Sequence, residues 1–529
     1  MKSFALVFGL AMVVGWICGC GSNSGQQTTS ASQNTSPPGP NVLKGQYAFM
    51  LSGADAVGNP MGIVGSIAAD GLGHITGGSV VVNDNFAVSS NSAALTGTYS
   101  LDNNERGTIT LTNTVGSVAQ SLAFAFTLRA DGTSGSLIGI GSNNFIIVGT
   151  LQRQDTTAFS LAALATGSSS FLFEIDSNVP SRSSTIGRFT LNATGTNTSG
   201  LFDVSVAGTG PTTVGGSLSV TLAAGGPDAS GGGSLSLSEN GIATNYVYFI
   251  ANAGRFVLMQ TDTNVPNTLG TGVAEAQNLP FTAATANTTG SIFALTGFDS
   301  ARANYVSTVG RVQIASSNAA TLLWDTDDAG TVFSQKSLIG ATVTFDGNTG
   351  RGTILSAGGS SAGLFDQAVF YLSSSGNGFL LDTSAGQLNR ALAGRLQSQA
   401  SGGTFSGTML SGLTIERHLG HNSAFTTDQT AEEALFSDAF NSGNNSLSGT
   451  GTGDFWTRSG SSGLNRTFSI GEGISIDTNT GRGTLTFATS TSPANLNVFY
   501  VIGPDDYVLI DETQPPQNDI PIQFFDPEQ

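Results

Sequence analysis

Three side chains late in the chain are of the kind that hold a metal: Glu416, His418 and His421. Two imidazoles and a carboxylate can fill three corners of a tetrahedral zinc site. The competing reading is a solvated loop, since Asn422 and Ser423 follow directly. Two turns offer oxygen ligands instead, Asp346-Gly347-Asn348-Thr349-Gly350 and Asp477-Thr478-Asn479-Thr480-Gly481. Calcium takes about six to eight oxygens, and a loop of the helix–loop–helix kind closes with a bidentate Glu at its twelfth place. Counting from Asp346 and Asp477 reaches Ala357 and Ala488, which favours plain turns. Directly after these turns stand Arg351 and Arg482, with Arg106 in an earlier copy. Guanidinium groups recurring at one place can form a row for anionic ligands. Alternatively, each lays its stem across a hairpin and pairs with a nearby carboxylate. His74 stands alone in a turn. There is no Gly-x-Ser-x-Gly elbow in a strand-to-helix setting, no P-loop lysine and no Gly-rich nucleotide fingerprint. Carboxylate pairs for glycoside hydrolysis act through spatial separation, and nothing in the sequence marks one. No cofactor is called for.

The arginines sit on a recurring element. In Gly340-Ala341-Thr342-Val343-Thr344-Phe345, the residues Ala341, Val343 and Phe345 fall on one face, and Ile474 and Ile476 do the same before the second turn. Period-2 alternation marks a half-buried strand. Asp, Asn and Gly then supply a tight turn, and alternation resumes in Thr484-Leu485-Thr486-Phe487. Each copy is a β-hairpin. Arg106 and Arg351 lie 245 positions apart, close to twice the 131 between Arg351 and Arg482. The missing copy falls near residue 230, where Leu218–Leu222 and Gly233–Leu237 keep the strands and lose the arginine. A second landmark follows each hairpin: Val369-Phe370-Tyr371-Leu372, Val498-Phe499-Tyr500-Val501, Tyr246-Val247-Tyr248-Phe249 and Ala123–Leu128. Three units close on Gly149–Gln152, Gly272–Glu275 and Gly394–Gln397. The chain therefore holds four copies of a unit of roughly 120–130 residues.

Composition agrees with this reading. The 529 residues include 71 Gly and 32 Phe, and only 10% are charged. Such a chain suits short strands, many turns and Phe-filled interiors. The net charge of −18 argues against nucleic acid, which needs a basic face.

The first residues carry a targeting signal. Lys2 precedes an apolar core, Phe4–Trp16, that is too short to span a bilayer comfortably. It ends in Ile17-Cys18-Gly19-Cys20, which resembles the lipobox of bacterial lipoproteins. The resemblance implies cleavage after Gly19 and lipidation of Cys20, hence attachment to a membrane. Gly21, rather than an acidic residue, implies passage to the outer membrane in a two-membrane bacterium. Both cysteines lie here, so the mature chain has no disulfide framework. Residues 21–43 are rich in Gly, Ser, Thr, Gln and Asn and read as a flexible tether of about 25 Å.

The expected architecture is all-β: four tandem antiparallel meanders of about eight strands, each a small barrel or a sandwich. The divisions are 1–19 signal peptide, 20–43 lipidated cysteine and tether, then repeats at 44–155, 156–278, 279–400 and 401–529. A propeller with two blades per unit is the other arrangement. In the fourth repeat Thr430–Phe436 reads as a short inserted helix with Thr430 and Glu433 as a capping box. The strands read as shorter than the roughly ten residues of outer-membrane barrel strands. Beyond the lipobox, the chain resembles uncharacterised bacterial surface lipoproteins of Gly-rich β repeats, which carry no known activity. The preferred function is a non-catalytic, lipid-anchored envelope protein that contacts a surface polymer or an envelope protein. The alternative places a small apolar ligand inside each barrel, which dense Phe filling would exclude. An enzyme with its site in repeat 4 is third.

Overall fold

The computed structural model describes residues 43–527, apart from 92–94, 103–104, 116–117, 141–144, 168, 178–181, 263–268, 282–289, 303, 329, 357–363, 386–387, 401–403, 422–428, 443–444, 458–461, 488–494 and 513–521. All described residues belong to one compact unit, 38–529, and Cys20 lies outside them. Three closed barrels of eight antiparallel strands follow one another: Ser170–Ser177 to Gly270–Ala276, Ser291–Asp299 to Arg390–Ser398, and Leu413–His421 to Ile522–Pro527. Before them, Lys44–Ala54 to Ile146–Arg153 form a nine-stranded sheet. Its strands Pro60–Asp70 and His74–Asp84 also pair, completing a circuit from which only the short strand Ala87–Ser90 branches.

The repeated sequence signals have one packing explanation. In each of the first three repeats a Phe of the first strand lies over a Gly of the second. A Cβ built on Gly65, Gly187 or Gly310 would stand 2.7, 2.6 or 2.4 Å from Phe49, Phe173 or Phe293. The Gly of Arg-Gly-Thr does the same for the landmark strand: a Cβ on Gly352 or Gly483 would stand 2.1 Å from Phe370 or Phe499. These rings fill the space of the missing side chains and then the barrel centres. The turns cap themselves. The Asp346 carboxylate accepts from the Asn348 amide (2.9 Å) and Thr349 hydroxyl (2.9 Å), and Asp477 accepts from the Asn479 amide (2.8 Å). Gly350 and Gly481 close them at φ +69° and +73°, a conformation glycine adopts without steric cost.

The structure corrects three expectations. Thr430–Phe436 is not a helix but part of the strand Gln429–Asn441, paired on both sides. An isolated seven-residue helix is marginal, and two ladders of hydrogen bonds outweigh its propensity. The segment carrying Glu416, His418 and His421 is the strand Leu413–His421, not a loop. Many strands exceed ten residues, up to the sixteen of Thr331–Asp346. That strand continues through Gln335 and Gly340, both at positive φ, as it shifts register against its neighbour. Both positions are β-bulges.

Nor do the repeats stand in a row. Contacts join repeat 1 to 2, 2 to 3 and 3 to 4, and strand Gln429–Asn441 of repeat 4 returns to Ile146–Arg153 of repeat 1. The recurring arginines sit at three of these four junctions. Arg351 of repeat 3 forks onto Asp203 of repeat 2 through Nε (2.9 Å) and Nη2 (2.7 Å). Tyr371 donates its hydroxyl to the same carboxylate (2.6 Å), and the Gly215 amide adds a fourth bond (2.7 Å). Arg482 of repeat 4 holds Asp325 of repeat 3 in the same way (2.8 and 2.7 Å), with Tyr500 (2.6 Å) and the Gln335 amide (2.7 Å). Arg106 of repeat 1 meets Asp454 of repeat 4 at 2.5 Å, and both are buried. At the fourth junction the register places Val81 where Asp203 and Asp325 stand, and Gly232 where Arg351 and Arg482 stand. Apolar packing of Val64 and Val81 with Phe249 and Met259 replaces the ion pair there.

A buried glutamine follows the closing strand of each of the first three repeats and reaches into the next repeat. Gln154 donates to the Ile250 and Ser230 carbonyls (2.6 and 3.0 Å), Gln277 to Leu372 and Thr349 (both 2.8 Å), and Gln399 to Val501 and Thr480 (2.7 and 3.0 Å).

Three outcomes are expected. Gly352→Ala should lower stability by about 1–3 kcal/mol, the usual cost of overpacking, seen in guanidinium unfolding; a change under about 0.5 kcal/mol would refute the Phe-over-Gly account. Arg482→Met strands a buried Asp325 and should cost about 3–5 kcal/mol. Adding Asp325→Leu should recover most of that loss in the same assay. Glu512, beside Asp325, has its pKa pushed up to about 8 by burial and by the Asp325 charge. A carboxyl raised in this way stabilises the fold only while protonated. Stability should therefore fall as pH rises from the unfolded value, about 4.3, toward 8. Glu512→Gln should flatten that slope of thermal midpoint against pH.

Candidate functional site

The outward faces of the first and last strands of repeats 1, 2 and 3 line one cavity of about 580 Å³, which Ile415 of repeat 4 also touches. Alternation decides what reaches it. On strand Ser170–Ser177, Phe171, Phe173 and Ile175 fill the barrel, so Glu174 and Asp176 face out. On the paired strand Gly270–Ala276 the register sets Glu275 opposite Leu172, on the same outer face.

The charges are partly matched. Glu275 accepts from Arg255 Nη1 of its own repeat (2.8 Å) and from Arg395 Nη2 of repeat 3 (2.6 Å). These guanidiniums outweigh burial and hold the Glu275 carboxyl below its ordinary pKa. Glu174 and Asp176 have no such clamp. Burial and then the Asp176 charge push Glu174 up to about 8, although Arg395 opposes them, and burial pushes Asp176 up to about 6 despite the Ser184 hydroxyl. A proton is therefore held between this pair near neutral pH. Arg182 lies over two rings of repeat 3, its guanidinium carbon 4.3 Å from the centre of Phe298 and 4.2 Å from that of Tyr305. Cation–π stacking fixes the plane of the fork without occupying its N–H edge. Arg255, Glu275 and Arg395 also border a neighbouring cavity of about 390 Å³.

The residues singled out in the sequence lie elsewhere. Arg106, Arg351 and Arg482 are taken up in the junctions. Glu416, His418 and His421 share the strand Leu413–His421, where Glu416 pairs with Ala434 and His418 with Glu432; their side chains lie outside the described residues. His74 opens the strand His74–Asp84, exposed, with Nδ1 2.9 Å from Asp70 Oδ2. Among the described residues no three His, Cys, Asp or Glu side chains gather as for a metal ion. The cavity residues were not anticipated. A signal existed in Phe171-Leu172-Phe173-Glu174-Ile175-Asp176, where acids alternate with core positions. By itself it also describes a solvated strand face.

No family model matches the chain, and no curated protein matches it. Solved structures with some likeness include isotype 1 transferrin binding protein B from serogroup B Neisseria meningitidis, with 8% identity, a TM-score of 0.18, and coverage of 76% of this chain and 83% of that one. A transferrin binding protein B double mutant from Haemophilus parasuis gives 9% identity, a TM-score of 0.15, and coverage of 74% and 82%. Intact Ap-TbpB, with its N and C lobes, gives 9%, 0.17, and coverage of 95% and 98%. At these TM-scores the likeness carries no argument about this chain.

Proposed function

We propose that the mature chain is a non-catalytic, lipid-anchored protein of the bacterial cell envelope that serves as a contact or scaffold platform. The observation that carries this reading is the set of junctions. Four filled β units are held to one another by Arg–carboxylate pairs, two of them forked, by glutamine bridges and by an apolar seam. A platform of this kind presents loops and faces in fixed relation, which suits contact with a polymer or an envelope protein. The lipobox-like Ile17-Cys18-Gly19-Cys20 and the tether after it supply the attachment, through lipid on Cys20 to the outer membrane. The acidic charge of −18 leaves nucleic acid out of the partners.

A small apolar ligand inside each barrel has less support. The interior of repeat 3 leaves a cavity of only about 10 Å³ among Val312, Phe370 and Leu380, room for about one water.

Two measurements test the proposal. Cys20→Ser should abolish labelling by radioactive palmitate and release the protein from the membrane fraction; labelling that persists would refute the anchor. Protease shaving of intact cells should release fragments from beyond residue 43, mapped by mass spectrometry. Protection until the outer envelope is opened would refute surface contact and place the repeats in the periplasm.

A further inference from the structure

The cavity between the repeats has the features of a ligand site, and its chemistry narrows the ligand. We propose that it binds a short, neutral, polyhydroxylated ligand of the saccharide class. The inference rests on the contact reading above, since a polymer of sugars is one of the surfaces that such a protein would touch.

The volume, about 580 Å³, lies within the roughly 300–1,000 Å³ of small-ligand pockets. Charges of both signs line it: Glu174 and Asp176 from one strand, Arg182 from the next, and Arg129, Arg255 and Arg395 from others, the last two already held by Glu275, which borders the neighbouring cavity. A polyanion would meet Glu174 and Asp176, and a polycation would meet the arginines. An apolar molecule would strip water from all of them and return no hydrogen bond. A neutral polyol does return them. Carboxylates accept from hydroxyl pairs and a planar guanidinium donates through two parallel N–H groups. The proton retained by Glu174 and Asp176 lets that pair both donate and accept. Asp176 Oδ1 is buried and has no hydrogen-bond partner in the protein, as expected of an acceptor that a ligand hydroxyl or water satisfies. Serine and threonine hydroxyls such as Ser136, Thr271 and Ser307 line the walls. Gly272, Gly297 and Gly394 also lie in the lining, where a Cβ would strike the backbone of the adjoining strand. The apolar parts, Val148 and Val273, suit the C–H faces of a pyranose ring.

The test is saturation-transfer NMR on the full mature chain with cellobiose, maltose, lactose and chitobiose as probes, and spermidine and palmitate as counter-probes. Transfer to at least one disaccharide is expected. Arg182→Ala, and separately the isosteric pair Glu174→Gln/Asp176→Asn, should each weaken that affinity about tenfold or more, the weight of a lost charged hydrogen bond. Arg182→Lys keeps a cation over the rings and loses the fork, so it should also weaken binding if Arg182→Ala does not fold. Absence of transfer to every disaccharide overturns the proposal. So does binding unchanged by both substitutions, or spermidine binding that Glu174→Gln/Asp176→Asn removes, which makes the site one for amines. Hydrolysis of a bound disaccharide would uphold the ligand class and overturn the non-catalytic reading. Periplasmic location alone would overturn surface contact and leave sugar binding standing.

Discussion

The structure depends on strands that are buried on both faces. In Val369-Phe370-Tyr371-Leu372, Phe370 and Leu372 enter the barrel core while Val369 and Tyr371 enter the junction with repeat 2. The corresponding strand of repeat 4 turns Phe499 and Val501 inward and Val498 and Tyr500 toward repeat 3. A wall of this kind has no solvent face, so any polar group on it must find its partners within the protein. Asp203 and Asp325, both fully buried, each receive two guanidinium bonds, a tyrosine hydroxyl and a backbone amide. For Asp325 this set more than offsets burial, and its pKa lies below the ordinary carboxylate value.

A buried ion pair is weak grounds for stability, because apolar residues of like volume often serve as well. The molecule contains that comparison. The junction between repeats 1 and 2 has Val81 and Gly232 in place of the pair and closes by apolar packing with neutral hydrogen bonds. It is also a junction where the two repeats are consecutive in the chain and bridged by Gln154. Repeats 4 and 1 have no such covalent help and keep the pair Arg106–Asp454, but junctions 2–3 and 3–4, which are also consecutive and glutamine-bridged, keep their pairs as well, so continuity alone does not decide where a pair stands. An apolar patch tolerates sliding, whereas a fork and carboxylate set one register. The pairs are best understood as fixing how repeats meet, with their net energy a secondary matter.

What was legible in the sequence follows from separation along the chain. The hairpins were legible because an Asp-capped turn and alternating strands within ten residues carry their own physics. The four-fold repeat and the all-β class follow from them. The latches were half legible: the recurring arginines stood out, but their partners lie 148 and 157 positions away, and no local pattern marks Asp203 or Asp325. The loss of the arginine at repeat 2 was visible, and its meaning required seeing Val81 opposite. Thr430–Phe436 has the composition of a helix and lies between two strands that capture its backbone.

The cavity was the least legible part, and geometry explains why. Cylinders packed in a cycle leave a gap where their outer walls face one another, and no single strand encodes it. The lining then separates a packing defect from a site. A gap left only by imperfect packing is apolar and stays dry. This one is lined by Glu174, Asp176 and Arg182 with many hydroxyls. The neighbouring outer faces were made apolar wherever they close a junction, as Leu172, Ile186 and Val257 show. Charge was kept on the part of the same strands that faces the common centre. That division along single strands, apolar at the seam and ionisable at the centre, is what sealing the repeats to one another while keeping a wet, polar space between them requires.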